Sequence, residues 1–261
     1  MHSFTSVQTA YINQIIFSST RNVSDPTIVF VSSPWHKAVL YAPLLNGLTR
    51  NKFSVVAPSL PSIEGASDSF DDDVRLVRKA IADEVSEGHE IIMLMHAYGG
   101  VVSSAAVEGY LAQEVWGQRG VIKMIYLTAF ALEEGVSLMA ALGHKALPWW
   151  RSANQKQWQA VDTSRIFYND VDPELAEALA PKLDLQSKGS FESKQTYAAW
   201  KHIDSTYIVC EYDNAIPKQM QVAMASQAGG KFTIEYLAAG HSPFLSAPQQ
   251  TVDIIRKAAF V

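Results

Sequence analysis

The segment MLMHAYGGVV, residues 93–102, joins a strand-like run to a helix-like run through a turn of small residues. Where a strand and a helix meet in so tight a turn, the residue at the tip is pushed out to the edge of the sheet. Glycines are needed where the two backbones come close. The tip residue is Ala97, flanked by His96 and Tyr98 and followed by Gly99 and Gly100. Two ionisable side chains occupy comparable places further on. Asp213 follows the apolar run 206–210 in CEYDNAIP, and His241 follows the run 231–237 in AAGHSPF. One helix and one strand fit between them, a spacing that brings two strand-end loops side by side. A histidine beside an aspartate can take up and return a proton. A methyl group at the tip of the turn can do neither.

These loops need a sheet to hold them. Apolar runs at 27–31 (TIVFV), 53–57 (FSVVA), 90–95 (EIIMLM), 122–127 (IKMIYL), 206–210 (TYIVC) and 231–237 (KFTIEYL) alternate with helical patterns at 38–49, 71–87, 99–115 and 248–259. Such alternation predicts an α/β architecture, a parallel sheet with helices on its faces. Residues 12–17 add a candidate edge strand. Asp71, Asp72 and Asp73 open the second helix, where acids suit the positive end of the helix dipole. They read as capping residues, not metal ligands.

Residues 131–203 break the alternation. They read as a helical cap inserted over the C-terminal edge of the sheet, within one domain spanning 1–261. The interval carries Trp149, Trp150, Trp158, Phe167, Tyr168, Tyr197 and Trp200. Ligands of open α/β sheets bind at that edge. About half of these rings should therefore face an apolar pocket, and the rest should pack the cap's own core.

Composition narrows the classes. With 48% hydrophobic and 18% charged residues in 261, the chain is globular in type. Its net charge of −5, without a Lys/Arg cluster, argues against nucleic acid or an anionic membrane as partner. The first residues lack the basic and apolar regions of a signal peptide, and no apolar run approaches the ~18–20 residues of a membrane span. The single cysteine, Cys210, cannot form an internal disulfide. Together these point to a reducing, cytoplasmic setting. Cys210 itself reads as a buried strand residue. No His/Cys/Asp/Glu cluster shows metal-ligand spacing, so neither metal nor cofactor is expected.

Taken in order, WHKAVLYAPLL, VVAPSLPS, MHAYGG, IYLTAFALEEGVSL, FYNDVDPELAEAL, TYIVCEYDNAIP and GHSPFLSAP resemble one branch of the α/β-hydrolase superfamily. That branch includes plant methylesterases, hydroxynitrile lyases and related fungal and bacterial esterases. The likeness runs from about residue 27 to the C-terminus. It implies the α/β-hydrolase fold, a mostly parallel sheet flanked by helices with an inserted helical cap. It also makes MHAYGG the nucleophile elbow, whose pattern is G-x-S-x-G. Met95 then replaces the first glycine and Ala97 the serine. By the same resemblance His241 is the general base, and Asp213 fixes its tautomer and stabilises the imidazolium. One oxyanion donor is the Tyr98 N–H. The other belongs to the loop VSSPWH, residues 31–36. Aligned on Trp35-His36, Pro34 falls at the donor position and has no N–H. Ser33 falls where hydroxynitrile lyases carry a threonine hydroxyl, so its Oγ is a candidate substitute. A shift of one residue would make the Trp35 N–H the donor instead.

Candidate substrate contacts are His36, Phe130, Trp149, Trp150, Trp158, Phe167 and Tyr168, with a structural hydrogen bond an equal reading for His36. His96, His144 and His202 carry no pattern. The expected partner is a small, mostly apolar or aromatic molecule. A homodimer is a further candidate, since dimers are common among similar proteins.

Without a serine no acyl-enzyme can form. Ala97 could be a deliberate serine-to-alanine change in an esterase or lactonase of Ser-His-Asp type, which the intact acid and base favour. It could also be natural, with His241 serving a lyase, cyclase or isomerase of secondary metabolism. The departures at Pro34 and Met95 lean that way. Hydroxynitrile lyase itself is disfavoured, because Ser242 stands where that group has a lysine. A ligand-binding protein without catalysis, like the hormone receptors of this fold, is the third reading. The retained Asp213–His241 pair argues against it.

Overall fold

The computed structural model describes residues 8–11, 14–17, 26–115 and 119–260. Its strands are β1 (Gln8–Tyr11), β2 (Gln14–Phe17), β3 (Thr27–Val31), β4 (Ser54–Pro58), β5 (Ile91–Ala97) and β6 (Val121–Ala129). Then come β7 (Trp150–Ser152), β8 (Gln157–Ala160), β9 (Gln186–Ser187), β10 (Ser205–Cys210) and β11 (Phe232–Leu237). Eight of them form one sheet in the order β1-β2-β4-β3-β5-β6-β10-β11. The block from β4 to β11 is parallel throughout. β2 pairs antiparallel with both β4 and β1. The candidate strand at 12–17 thus appears as β2, one place in from the edge that β1 occupies. Residues 12 and 13 lie outside the described residues.

β3, β4, β5 and β10 are buried at every position. That is why they read as continuous apolar runs: helices cover both faces of a parallel sheet. The covering helices include α1 (Ala42–Arg50), α2 (Pro61–Glu64), α3 (Phe70–Ser86) and α4 (Gly99–Ala106). Ser69 caps α3 by accepting from the Asp71 N–H, and Asp71, Asp72 and Asp73 keep the expected place in its first turn. Asp73 departs from the capping role. It is fully buried and accepts from the Ser62 N–H and hydroxyl and from the Tyr98 hydroxyl.

α4 ends at Ala106, well short of the expected 115. Gly109 adopts a left-handed φ of 76°, and Leu111 bridges to Val121 beside β6. A residue recruited to the sheet cannot also extend the helix.

The cap region also differs from expectation. It contains short helices, α5 (Leu138–Ala141), α6 (Thr163–Ile166), α7 (Pro173–Leu179) and α8 (Lys188–Glu192), but also the antiparallel sheet β7-β8-β9. With two to four residues each, these strands are too short to show the alternation that reveals a strand. After the cap, α9 (Lys218–Ala225) lies between β10 and β11, and α10 (Pro243–Ser246) and α11 (Pro248–Ala259) close the chain. Among the described residues no helix is long and apolar enough to cross a membrane.

Candidate functional site

The C-terminal ends of β3, β5, β6, β10 and β11 supply the loops of the site. Ala97 ends β5 at a φ of 49°, a left-handed conformation that a residue with a Cβ rarely adopts. Two close approaches hold it there. A Cβ on Gly99 would lie 2.4 Å from the Val31 carbonyl oxygen, and one on Gly100 would lie 2.3 Å from that of Phe130. The Ala97 carbonyl accepts from the Phe130 N–H at 2.9 Å. These contacts pin the tip of the turn between the ends of β3 and β6.

His241 and Asp213 meet as their spacing allows. The His241 Nδ1–H donates to Asp213 Oδ2 at 2.8 Å, with both side chains buried. The other Asp213 oxygen accepts from the backbone N–H groups of Ala215 and Ile216 at 2.7 and 2.8 Å. The Thr128 hydroxyl and the Gln221 amide also donate to Oδ2. A carboxylate held by four donors is fixed in orientation. It holds the proton on Nδ1 and leaves Nε2, which has no partner among the described residues, as the atom that can accept a proton.

Neither Thr128 nor Gln221 was visible as a site residue from the sequence. The cap braces the same loops: Asp170 accepts from the Gly240 N–H at 2.6 Å, and Asn169 donates to the Tyr212 carbonyl at 2.9 Å.

The loop after β3 uses its donors unevenly. The Ser33 N–H donates to the Tyr41 hydroxyl at 3.0 Å, and Pro34 has none to give. The Trp35 N–H and the Tyr98 N–H make no hydrogen bond among the described residues. Trp35 adopts a left-handed φ of 61°. Ser33 Oγ is buried without a partner.

Ala97 and His241 line one cavity, together with Ser33, Pro34, Trp35 and Phe130. From the cap come Trp149, Trp150, Phe167 and Phe191. Three of the seven cap aromatics thus face it. Phe191 is an addition that no pattern in the sequence marked. The cavity encloses about 20 Å³, room for about one water.

Trp158, Tyr168 and His36 are not part of the lining. The Trp158 carbonyl accepts from the Trp35 indole at 3.2 Å, and Lys188 sits over its ring. The Tyr168 hydroxyl donates to His36 Nε2 at 3.1 Å, while His36 Nδ1–H donates to the Pro34 carbonyl at 2.8 Å. Burial holds the His36 pKa down at about 3, so it stays neutral and braces the loop from behind. Tyr197 stacks on His202, and Trp200 stacks on Phe232 with its indole donating to the Leu132 carbonyl.

His96, without a pattern in the sequence, is central here. It is fully buried, and its Nε2–H donates to the His241 carbonyl at 2.9 Å. A carbonyl only accepts, so the neutral ring must receive at Nδ1, where the Tyr41 hydroxyl donates at 2.8 Å. Burial also pushes the His96 pKa down, which keeps it neutral. The Ser33 N–H, Tyr41, His96 and the His241 backbone therefore form one satisfied chain from the loop after β3 to the loop after β11.

Away from the cavity, Glu84, Glu87 and His89 place three potential ligand atoms within 4.8 Å of one another. This corrects the expectation that no such grouping exists. Glu84 is already engaged by the Thr27 hydroxyl and by His89, so the trio reads as a hydrogen-bonded tie between α3 and β3.

A family model described as "Alpha/beta hydrolase family" matches residues 28–254. The protein named "Alpha/beta hydrolase nvfD", from Aspergillus novofumigatus, is 31% identical over 241 residues, 90% of this chain and 96% of that one. Tomato Methylketone Synthase I, solved with 2-tridecanone, superposes with a TM-score of 0.74 at 16% identity, covering 90% of this chain and 98% of its own. The methylesterase MES16 from Arabidopsis superposes at 0.72 with 18% identity, over 90% and 100%.

Proposed function

Because the chain belongs to the alpha/beta hydrolase family, we propose that it is an enzyme acting on a largely apolar carbonyl compound, with His241 as general base and no acyl-enzyme. The observation that carries this is an imidazole, anchored by Asp213, in the wall of the same cavity as the methyl group of Ala97. His241 Nε2 takes a proton from the substrate, and Asp213 stabilises the imidazolium that results. The Tyr98 and Trp35 amides and the Ser33 hydroxyl, none of them bonded among the described residues, are the donors for the oxyanion or enolate left behind. A cavity walled almost wholly by apolar side chains offers water few partners. That favours removing a proton next to a carbonyl over hydrolysis by activated water.

The test is proton exchange. In deuterated water, 4-phenylbutan-2-one should gain deuterium next to its carbonyl, and His241→Ala should slow this by roughly 10²-fold or more. Exchange that persists in the variant removes the imidazole from the reaction. Exchange no faster than in buffer, with the ketone shown to bind, ends the reading.

One observation favours a second reading. The strained φ of 49° at Ala97 is the backbone state that projects a serine in an elbow. In that reading the architecture serves hydrolysis of an ester or lactone by a Ser-His-Asp mechanism, with position 97 lacking the nucleophile.

A further inference from the structure

The cavity wall contains a further unpartnered donor, away from the turn at Ala97 and the β3 loop. Trp150 is 8% exposed, lines the cavity, and its Nε1–H has no acceptor among the described residues. The other enclosed indoles are satisfied: Trp35 donates to the Trp158 carbonyl and Trp200 to the Leu132 carbonyl. Trp35, Trp149, Trp158 and Phe191 pack around Trp150 with ring centroids 5.0–6.1 Å away. These contacts fix the ring, and none brings an oxygen to its N–H. Buried donors in native proteins nearly always find a partner, and a donor held rigid in a ligand cavity most simply finds it on the ligand.

We propose that Trp150 Nε1–H receives a second oxygen of the substrate, distinct from the carbonyl oxygen held at Tyr98. This rests on the reading of the cavity as the substrate site and names the class more narrowly. The substrate is an apolar molecule with two oxygen functions, the second an uncharged acceptor such as a ketone, ester or ether. The uncharged form follows because no Lys or Arg lines the cavity to meet a carboxylate. An indole N–H donates and never accepts, so a lone hydrocarbon tail gains nothing there.

The experiment follows the indole N–H directly. The chain has six tryptophans, and Trp150→Phe identifies the signal of Trp150 in a nitrogen–proton spectrum. The probes are phenyl-terminated keto esters with one to four carbons between the carbonyls, against the monoketone 4-phenylbutan-2-one. At one spacing or more, the Trp150 proton should move downfield more than the other indoles. That keto ester should bind about tenfold more tightly than the monoketone, as one hydrogen bond to a buried donor implies. Trp150→Phe should erase this preference, so that the variant binds the keto ester and the monoketone alike whatever their absolute affinities. If every keto ester binds like the monoketone and the Trp150 proton does not move, the subsite does not exist. Should Trp150→Phe fold poorly, replacing the other five tryptophans by phenylalanine one at a time assigns the Trp150 signal by elimination, so the shift in the unaltered chain still decides this. Proton exchange and the indole shift are separate readouts, so a failed base and a failed subsite are told apart.

Discussion

At position 97 a methyl group shares a cavity with an imidazole whose acid partner is held by two backbone amides, Thr128 and Gln221. Placing a hydroxyl there asks nothing new of the backbone, since alanine already sits at φ 49°. Ala97→Ser should therefore raise hydrolysis of p-nitrophenyl acetate by roughly 10²-fold or more over the unaltered chain. A stopped assay on both proteins checks it, and equal rates would mean the turn at position 97 does not present a nucleophile to His241. His96 acts one step back, through the His241 carbonyl and the Tyr41 hydroxyl. His96→Phe leaves the His241 carbonyl without its donor and the Tyr41 O–H without an acceptor, at about 1–3 kcal/mol each. Urea unfolding should show that loss, and proton exchange should fall as the His241 loop loosens. Ala97, Asp213 and His241 were legible because each follows a strand that can be read from its apolar run. The Tyr41–His96 chain was not, because its members are 55 and 145 positions apart and only folding brings them together.

At the scale of elements, the β5–α4 junction depends on two backbone contacts too close for any side chain. Gly99→Ala would drive a Cβ to 2.4 Å from the Val31 carbonyl oxygen, which belongs to a buried strand and cannot swing aside. It should destabilise the protein by about 1–3 kcal/mol and cost more in activity than in stability, because Ala97 and the Tyr98 amide shift with it. Thermal unfolding and proton exchange on the same sample separate the two effects. The glycines were readable as a tight turn. Their partners were not, since sequence does not say which strand end α4 will face. The cap shows the same limit. Its aromatics announced a covering over the site, but β7, β8 and β9 are too short to carry a period. They form because residues 150–152 pair with 158–160, and Gln157 and Trp158 pair with Ser187 and Gln186 across the cap.

For the molecule as a whole, buried titratable groups set how stability responds to acid, and they pull in opposite directions. Burial raises the Asp73 pKa from 3.8 to about 6, outweighing the hydrogen bonds from Ser62 and Tyr98. Between those values the folded chain binds more protons than the unfolded one. The contribution of Asp73 to stability is full below about 3.8 and is lost as pH rises through about 6. His36 behaves in the reverse way. Its pKa falls from 6.5 to about 3 on burial, so its contribution is full above 6.5 and drains away as pH falls. His96 is shifted in the same direction as His36. From neutrality down to about pH 4, Asp73 thus offsets part of what the histidines lose. The three groups flank the site from both sides, Asp73 through Tyr98 and the histidines through the loops of β3 and β11. Asp73→Asn removes the offset and keeps the shape, so the variant should lose stability more steeply on acidification than the unaltered chain. Urea midpoints at three pH values from neutral to about 4 measure this directly. Parallel curves for the two proteins would show that Asp73 is already ionised in the folded state across that range.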